Sequence, residues 1–482
     1  MRQRRIVLAT VSGILVLAAA ASSVAAQGAA PPPEPASSAW GQFWDTFHHP
    51  TPWLQMGLDH RFRTIYAENI DTLNKGSDQN RFDFQRYRTR WMTKWLLGED
   101  VSFHTRLTWE FRTWDDPPRK PQDVDFDEAL FDNFYVTAKN LFGLPLTATI
   151  GRQDMLMAFG VGWLVMDGTP LDGSRTFFLD AARFTFDWAE QNTKLDLAYV
   201  DHGVESDRWL KPISDENRAL TAADERGLIL YLTNKSMART QLEGFFMYKN
   251  DNPANTTSVE ELPPHWTRKA EIFTFGGAIA GTPTEHWKYR IEGAIQTGEK
   301  SDITPNFSTG EMQDLQAYGA LANLEYSFKD SLDNSLHVGG EYASGDDPDT
   351  RRNEQFDLLW AKWPRWSELY IYTYTEETMI ADCTNLIRLN VGHKFQPHKN
   401  WRISTDYHAL WADETGAPWR GRLTLDDDSN FRGHLFTCWA NYTFGKQLKG
   451  HLLGEYFFPG DYYEKVNNDE ALWLRFNLEY TF

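Results

Sequence analysis

The last segment of the chain alternates without a break. Leu472, Leu474, Phe476, Leu478, Tyr480 and Phe482 are apolar or aromatic, and Trp473, Arg475, Asn477, Glu479 and Thr481 fall between them. A period of two places the sets on opposite faces of a strand, one greasy and one polar. The pattern recurs upstream, with Phe103, Thr105, Leu107, Trp109 and Phe111 against His104, Arg106, Thr108, Glu110 and Arg112. It predicts strands near 54–66, 81–95, 101–114, 131–139, 146–153, 175–188, 194–202, 226–234, 239–250, 271–280, 286–297, 314–328, 335–344, 385–395, 401–411, 432–445, 450–458 and 470–482. A tally of about 18 is even, as a single-chain bacterial outer-membrane barrel requires.

The links between these strands alternate in length. Leu97 to Asp100, Ala189 to Thr193, Lys235 to Ala238, Phe395 to Asn400 and Gly445 to Lys449 are short, whereas Asp115 to Leu130, Asp154 to Ser174, Gly203 to Glu225 and Gly345 to Thr384 are long. Outer-membrane barrels have short turns on the periplasmic side and long loops outside. Leu369 to Thr375 also looks strand-like, but a strand there breaks the alternation, so it belongs inside the longest loop, over or within the mouth. The expected fold is an all-β, transmembrane antiparallel barrel.

The N-terminus fits export. Arg2, Arg4 and Arg5 precede the apolar run Ile6 to Ala21, and Ser23 to Ala26 supplies small residues for cleavage, so residues 1–26 read as a signal peptide. Residues 27–53, with Pro31 to Pro33, read as a periplasmic lead-in, and 54–482 as the barrel. The mean hydropathy of -0.54 does not count against a membrane protein, because only alternate strand residues meet lipid. The 20 tryptophans suit the aromatic girdles of a barrel. Phe482 at the end resembles the terminal signal of outer-membrane assembly. Cys383 and Cys438 are too few for a disulfide framework, and a bridge between them stays open.

Charge refines the picture. A net charge of -19 with no basic domain excludes nucleic acid as a partner. Acids crowd the long loops, at Asp115, Asp116, Asp123, Asp125, Asp127 and Glu128, at Asp346, Asp347 and Asp349, and at Asp426 to Asp428. Such loops solvate the surface or bind divalent cations beside lipopolysaccharide. The inward faces carry the opposite bias: Arg61, Arg63, Arg86, Arg88, Arg90, Arg106, Arg112, Arg183, Lys288, Arg290, Arg388, Lys394, Arg402 and Arg475, against fewer acids such as Asp59, Glu110, Asp187, Glu292, Glu325, Asp406 and Glu479. Guanidinium groups match carboxylates at two points, and rings of them select anions. The competing reading of each arginine is a salt bridge that holds the wall in shape.

Gly151-Arg152-Gln153-Asp154, Asp172-Gly173-Ser174-Arg175-Thr176-Phe177, and Glu341-Tyr342-Ala343-Ser344-Gly345-Asp346-Asp347 followed by Phe356-Asp357-Leu358-Leu359 resemble the alginate export family of outer-membrane porins. The resemblance covers most of the mature chain. It implies an 18-stranded barrel with an arginine-lined, anion-selective constriction for an anionic polysaccharide such as alginate. Arg152 and Arg175 carry over as constriction candidates, joined by Arg86, Arg88 and Arg90 on pattern alone. The apolar loop Met155 to Met166 departs from the basic surface expected for a polyanion. Expected partners are outer-membrane lipid and lipopolysaccharide, an anionic polysaccharide or small anion, and periplasmic export proteins.

Other classes have less behind them. His408 and Asp406 share a face, but no Gly-x-Ser-x-Gly, His-Glu-x-x-His or phosphate loop is present, so the chain reads as a non-enzyme without metal or cofactor. A general or small-anion or sugar diffusion porin is the nearest alternative. A loop-displaying receptor is another, with Trp360, Trp363, Trp366, Tyr370, Tyr372 and Tyr374 gathered in the longest loop.

Overall fold

Every predicted strand is present in the computed structural model. It describes residues 39–77, 80–116, 125–155, 158–166, 178–203, 209–211, 213, 223–253, 269–303, 309–361, 363–378, 383–416 and 423–482. The expected signal peptide, Arg175 with its motif, and Asp123 lie outside the described residues.

The chain divides into two units, residues 1–50 and 51–482. The described part of the first contains helix α1, Ala39–His48, in which Phe43 and Trp44 meet edge to face at 4.9 Å. The second is an 18-stranded antiparallel sheet closed on itself. Its strands are β1 (Leu54–Glu68), β2 (Arg81–Leu96), β3 (Val101–Asp116), β4 (Asp125–Ala138), β5 (Leu146–Gln153), β6 (Leu179–Trp188), β7 (Thr193–His202), β8 (Ala223–Asn234), β9 (Thr240–Pro253), β10 (Ala270–Gly281), β11 (Trp287–Ile303), β12 (Thr309–Ser327), β13 (Ser335–Ala343), β14 (Leu386–His398), β15 (Trp401–Trp411), β16 (Phe431–Thr443), β17 (Leu448–Pro459) and β18 (Ala471–Thr481). Each pairs with its neighbour in sequence, and β18 pairs with β1 from Asp59↔Thr481 to Glu68↔Leu472. Closure leaves no unpaired edge, which lipid does not tolerate.

Alternation sorts the side chains. On the outer face Ile291, Leu389 and Phe275 are about half exposed, whereas on the lumen side of β18 Trp473, Arg475 and Asn477 are buried. Cys438 faces outward and Cys383 is buried.

The lumen is not an open tube. The 154–178 loop inserts Phe159, Trp163, Leu164, Val165 and Met166, and the 344–385 loop inserts Phe356, Leu358, Leu359 and Trp360, all buried together against Ile65, Phe84, Ile229, Ile272 and Leu315 of the wall. Trp163 stacks on Phe356 at 5.5 Å, and the Trp360 N–H donates to the Leu164 carbonyl at 3.0 Å. The apolar loop is therefore the packing half of this interior core.

The strand-like segment in the longest loop is helix α2, Leu369–Thr378. Its β-forming residues are overruled at its start. Ser367 Oγ accepts from the Tyr370 N–H at 2.9 Å, and Glu455 of β17 accepts from the N–H groups of Glu368 (3.1 Å) and Leu369 (2.8 Å). A carboxylate at a helix N-terminus satisfies orphan donors and meets the positive end of the dipole. At the other end Glu377 forms a two-point ion pair with the fully buried Arg432 of β16. The helix is thereby clamped to the wall at both ends.

Candidate functional site

Strands β18, β1, β2 and β3 build one continuous basic wall. Register places Arg61 opposite Arg88, Arg63 opposite Arg86, and Asp59 opposite Arg90. Arg61 and Arg63 face Glu479 and Asn477 of β18 on their other side, and Arg86 and Arg88 face Arg112 and Glu110 of β3. Because all sit on one parity of their strands, all point into the lumen.

Few fixed anions answer them. Glu110 pairs with Arg86 and lies 3.5 Å from Arg61. Asp59 is 3.9 Å from Arg88, and Glu368, just before α2, is 3.2 Å from Arg475. Arg63 donates to the Asn477 side-chain oxygen at 2.5 Å. Among the described residues, Arg61, Arg63, Arg86, Arg88, Arg90, Arg112 and Arg475 thus face Asp59, Glu110, Glu368, Glu455 and Glu479. Buried donors remain over: Nε and Nη2 of Arg61, Nε of Arg88 and Nε of Arg90 have no hydrogen-bond acceptor among the described residues. Burial also raises the carboxyl of Glu368 to about 7; Arg475 opposes that effect and the nearby Glu455 adds to it.

The other arginines do different work. Arg106 is held by Asp132 (2.7 and 3.0 Å) and Asp154 (2.6 and 3.0 Å). Arg152 is buried, paired with Asp180 at 3.0 Å and lying 3.9 Å over the Phe178 ring. Arg183 pairs with Asp196 at 2.8 Å, and Arg290 forks between Glu243 and Glu292. These four knit strands together. Arg388 bonds Glu341 at 3.2 Å and lies over the Trp366 ring, on a strand four along the sheet from β18. Arg402 is exposed beside Asp333, at the short-turn end.

Sequence reasoning missed Arg432, Arg365 and Lys249. Arg365 hydrogen-bonds the Val161 carbonyl and so ties the two inserted loops. Lys249 donates to the Leu359 carbonyl at 3.1 Å, next to Asp357 and Lys300, which pair at 3.0 Å. Despite burial, Lys300 and Lys249 hold the Asp357 carboxyl well below its ordinary range. Arg432 and Arg365 take their partners from distant segments, and although Lys249 also bonds Asp251 two residues on, its bond to the inserted loop is not visible in the local sequence.

Solved structures with the same fold are outer-membrane porins. OccAB1 of Acinetobacter baumannii is 10% identical, with 90% of this chain and 97% of that one covered at a TM-score of 0.53. A BenF-like porin from Pseudomonas fluorescens Pf-5 is 10% identical, with coverage of 89% and 99% and a TM-score of 0.53. OpdL of Pseudomonas aeruginosa is 10% identical, with coverage of 89% and 98% and a TM-score of 0.50. No curated protein matches the sequence. Residues 52–471, nearly the whole barrel, match the alginate export family. The closed barrel with its inserted loops is thus an outer-membrane channel, and the chain belongs to the alginate export family.

Proposed function

We propose that the channel passes carboxylate-bearing solutes, an acidic polysaccharide such as alginate first among them, along the basic wall of β18, β1, β2 and β3. The observation that carries this reading is the surplus of buried guanidinium donors at Arg61, Arg88 and Arg90. Crowded like charges raise the energy of an empty lumen, and a passing carboxylate offsets that cost with charge-assisted hydrogen bonds. Arg106, Arg152, Arg183 and Arg290, already neutralised by fixed carboxylates, position the wall instead. The two inserted loops favour a second reading, in which short acidic sugars or other small carboxylates pass and long chains do not.

Reversal potential in a salt gradient tests the proposal. The wild-type channel should prefer anions, and replacing Arg61, Arg88 and Arg90 together with Gln should move the reversal potential toward cation preference. Soluble polyuronate should block the wild-type current more strongly than the variant's, and less as salt rises. A cation-selective wild-type channel, indifferent to polyuronate, overturns the reading. Anion selectivity with block by monouronate alone favours the small solute.

A further inference from the structure

The two ends of the channel differ in charge. At the long-loop end Asp346, Asp347, Glu354, Asp413 and Glu414 crowd together. Burial and these neighbours raise the Glu414 carboxyl, and Asp413 accepts from Tyr342 and from the Gly345 N–H. Arg351 and Arg352 are the cations of that loop segment, and Arg352 is committed to Gln316 at 2.8 Å.

The short-turn end holds a basic vestibule. Two cavities of about 490 and 580 Å³ share Arg239, Thr282, Lys288 and Glu325, and Gly160 and Val161 of the inserted loop line the larger one. Each lies within the roughly 300–1,000 Å³ typical of ligand pockets. Of the acids lining them, Glu243 is taken by Arg290 at 3.0 Å, Glu325 by Lys394 at 3.0 Å and Asp333 by Arg402 at 3.3 Å. Lys235, Arg239 and Lys329 have no carboxylate partner among the described residues, Lys288 stands opposite Glu325 in the β11–β12 register but Glu325 bonds Lys394, and Glu285 is the one lining acid left without a cation there. Arg239 is also held in the left-handed region, at φ 58°, with its guanidinium donating to the Pro283 carbonyl at 3.1 Å. Its carbonyl accepts from the Thr282 N–H at 3.0 Å. That conformation is uncommon for a non-glycine residue, and the bonds to the neighbouring turn hold it.

We propose that this vestibule is the loading site of the channel, where Lys235, Arg239 and Lys288 capture an acidic sugar chain from the periplasmic side before it reaches the basic wall. The assignment rests on the anion-channel reading above. A concave basic cavity with low-dielectric walls focuses its field and speeds the arrival of anions, while the acidic outer mouth repels them. The asymmetry acts on capture rates, so the same channel discriminates between the two sides of the membrane.

The test is block of single channels by polyuronate added to one side at a time. Orientation is assigned channel by channel from streptavidin binding to a biotinylated tag inserted at Asp427. The rate of block from the periplasmic side should exceed that from the outer side by about tenfold or more at low salt. The ratio should fall toward one as salt rises, and neutral dextran should show no side preference. The triple variant Lys235→Gln, Arg239→Gln, Lys288→Gln should lose the excess on the periplasmic side, while its heat-shifted gel band reports an intact barrel. Equal rates from both sides in an anion-selective wild type overturn the loading site and leave the anion channel standing. An unchanged ratio in the triple variant also overturns it. A cation-selective wild type defeats the underlying reading instead.

Discussion

Removing the Glu377 carboxylate tests whether α2 is a clamped element of the lumen. Arg432 is 0% exposed. Its Nη2 donates to Glu377 at 2.7 Å, to the Asn385 carbonyl at 3.1 Å and to the Tyr462 hydroxyl at 3.4 Å, and its guanidinium lies 4.3 Å over the Tyr462 ring. Glu377→Ala leaves that charge buried with one carbonyl and one hydroxyl in place of a carboxylate. Breaking a buried pair by removing one partner costs about 3–5 kcal/mol. Most of that cost disappears if α2 undocks and water reaches Arg432, so the docking equilibrium shifts by roughly a hundred- to several-thousand-fold. Single-channel recording should show Glu377→Ala opening in bursts to a higher conductance, with the heat-modifiable gel shift retained because no strand pairing of the sheet runs through α2. Replacing both partners, as Arg432→Met with Glu377→Leu, removes the stranded charge and should restore the wild-type level. A Glu377→Ala channel with wild-type conductance, or a double variant that gates like the single one, refutes the clamp.

Other outcomes follow from the same geometry. Glu368 binds a proton more readily beside the wall than when solvated, so acidification favours docked α2: high-conductance openings should be rarer at pH 5 than at pH 8, and Glu368→Gln should abolish the dependence. Gly160 has φ 60°, and a Cβ there falls 2.8 Å from the Arg290 Nη2, so Gly160→Val should loosen the inserted loop and raise conductance noise. Arg at Leu474 or Phe476, on the lipid face of β18, should cost about 2–4 kcal/mol near the bilayer midplane, read from urea unfolding in detergent-lipid micelles.

The barrel was legible in the sequence because one interaction, lipid on one side, writes a period of two into every crossing. Where the strands outrun the lipid that signal fades: β4 begins at Asp125 rather than near 131, β11 runs to Ile303, and β12 starts at Thr309. Helix α2 was misleading for a related reason. Buried among other loops, Tyr370, Tyr372 and Tyr374 alternate with Ile371 and Thr373 like a strand, yet a cap from β17 decides the conformation. The lumen arginines were found by direction alone. Which of them are neutralised depends on partners far along the chain, as with Arg106 and Asp154 or Arg290 and Glu243, and only register brings those together. Arg432 escaped notice for a local reason: the register shifts between Leu410 and Trp411, opposite Gly433 and Phe431, and this irregularity interrupts the simple alternation near the start of β16.

The bond between Trp360 and Leu164 joins two loops nearly 200 positions apart in the sequence, inside a wall that β18 closes last in chain order. Once the β1–β18 seam has formed, neither loop can reach the interior except through the outer mouth. Assembly therefore favours a curved, open sheet that first gathers both loops into its hollow, and the seam then zips around a core already in place. Contacts of such long range make folding slow, and a vacant hollow exposes tryptophan and phenylalanine while it lasts. In that order of events the β1–β18 register, from Asp59↔Thr481 to Glu68↔Leu472, closes over an interior that is already filled.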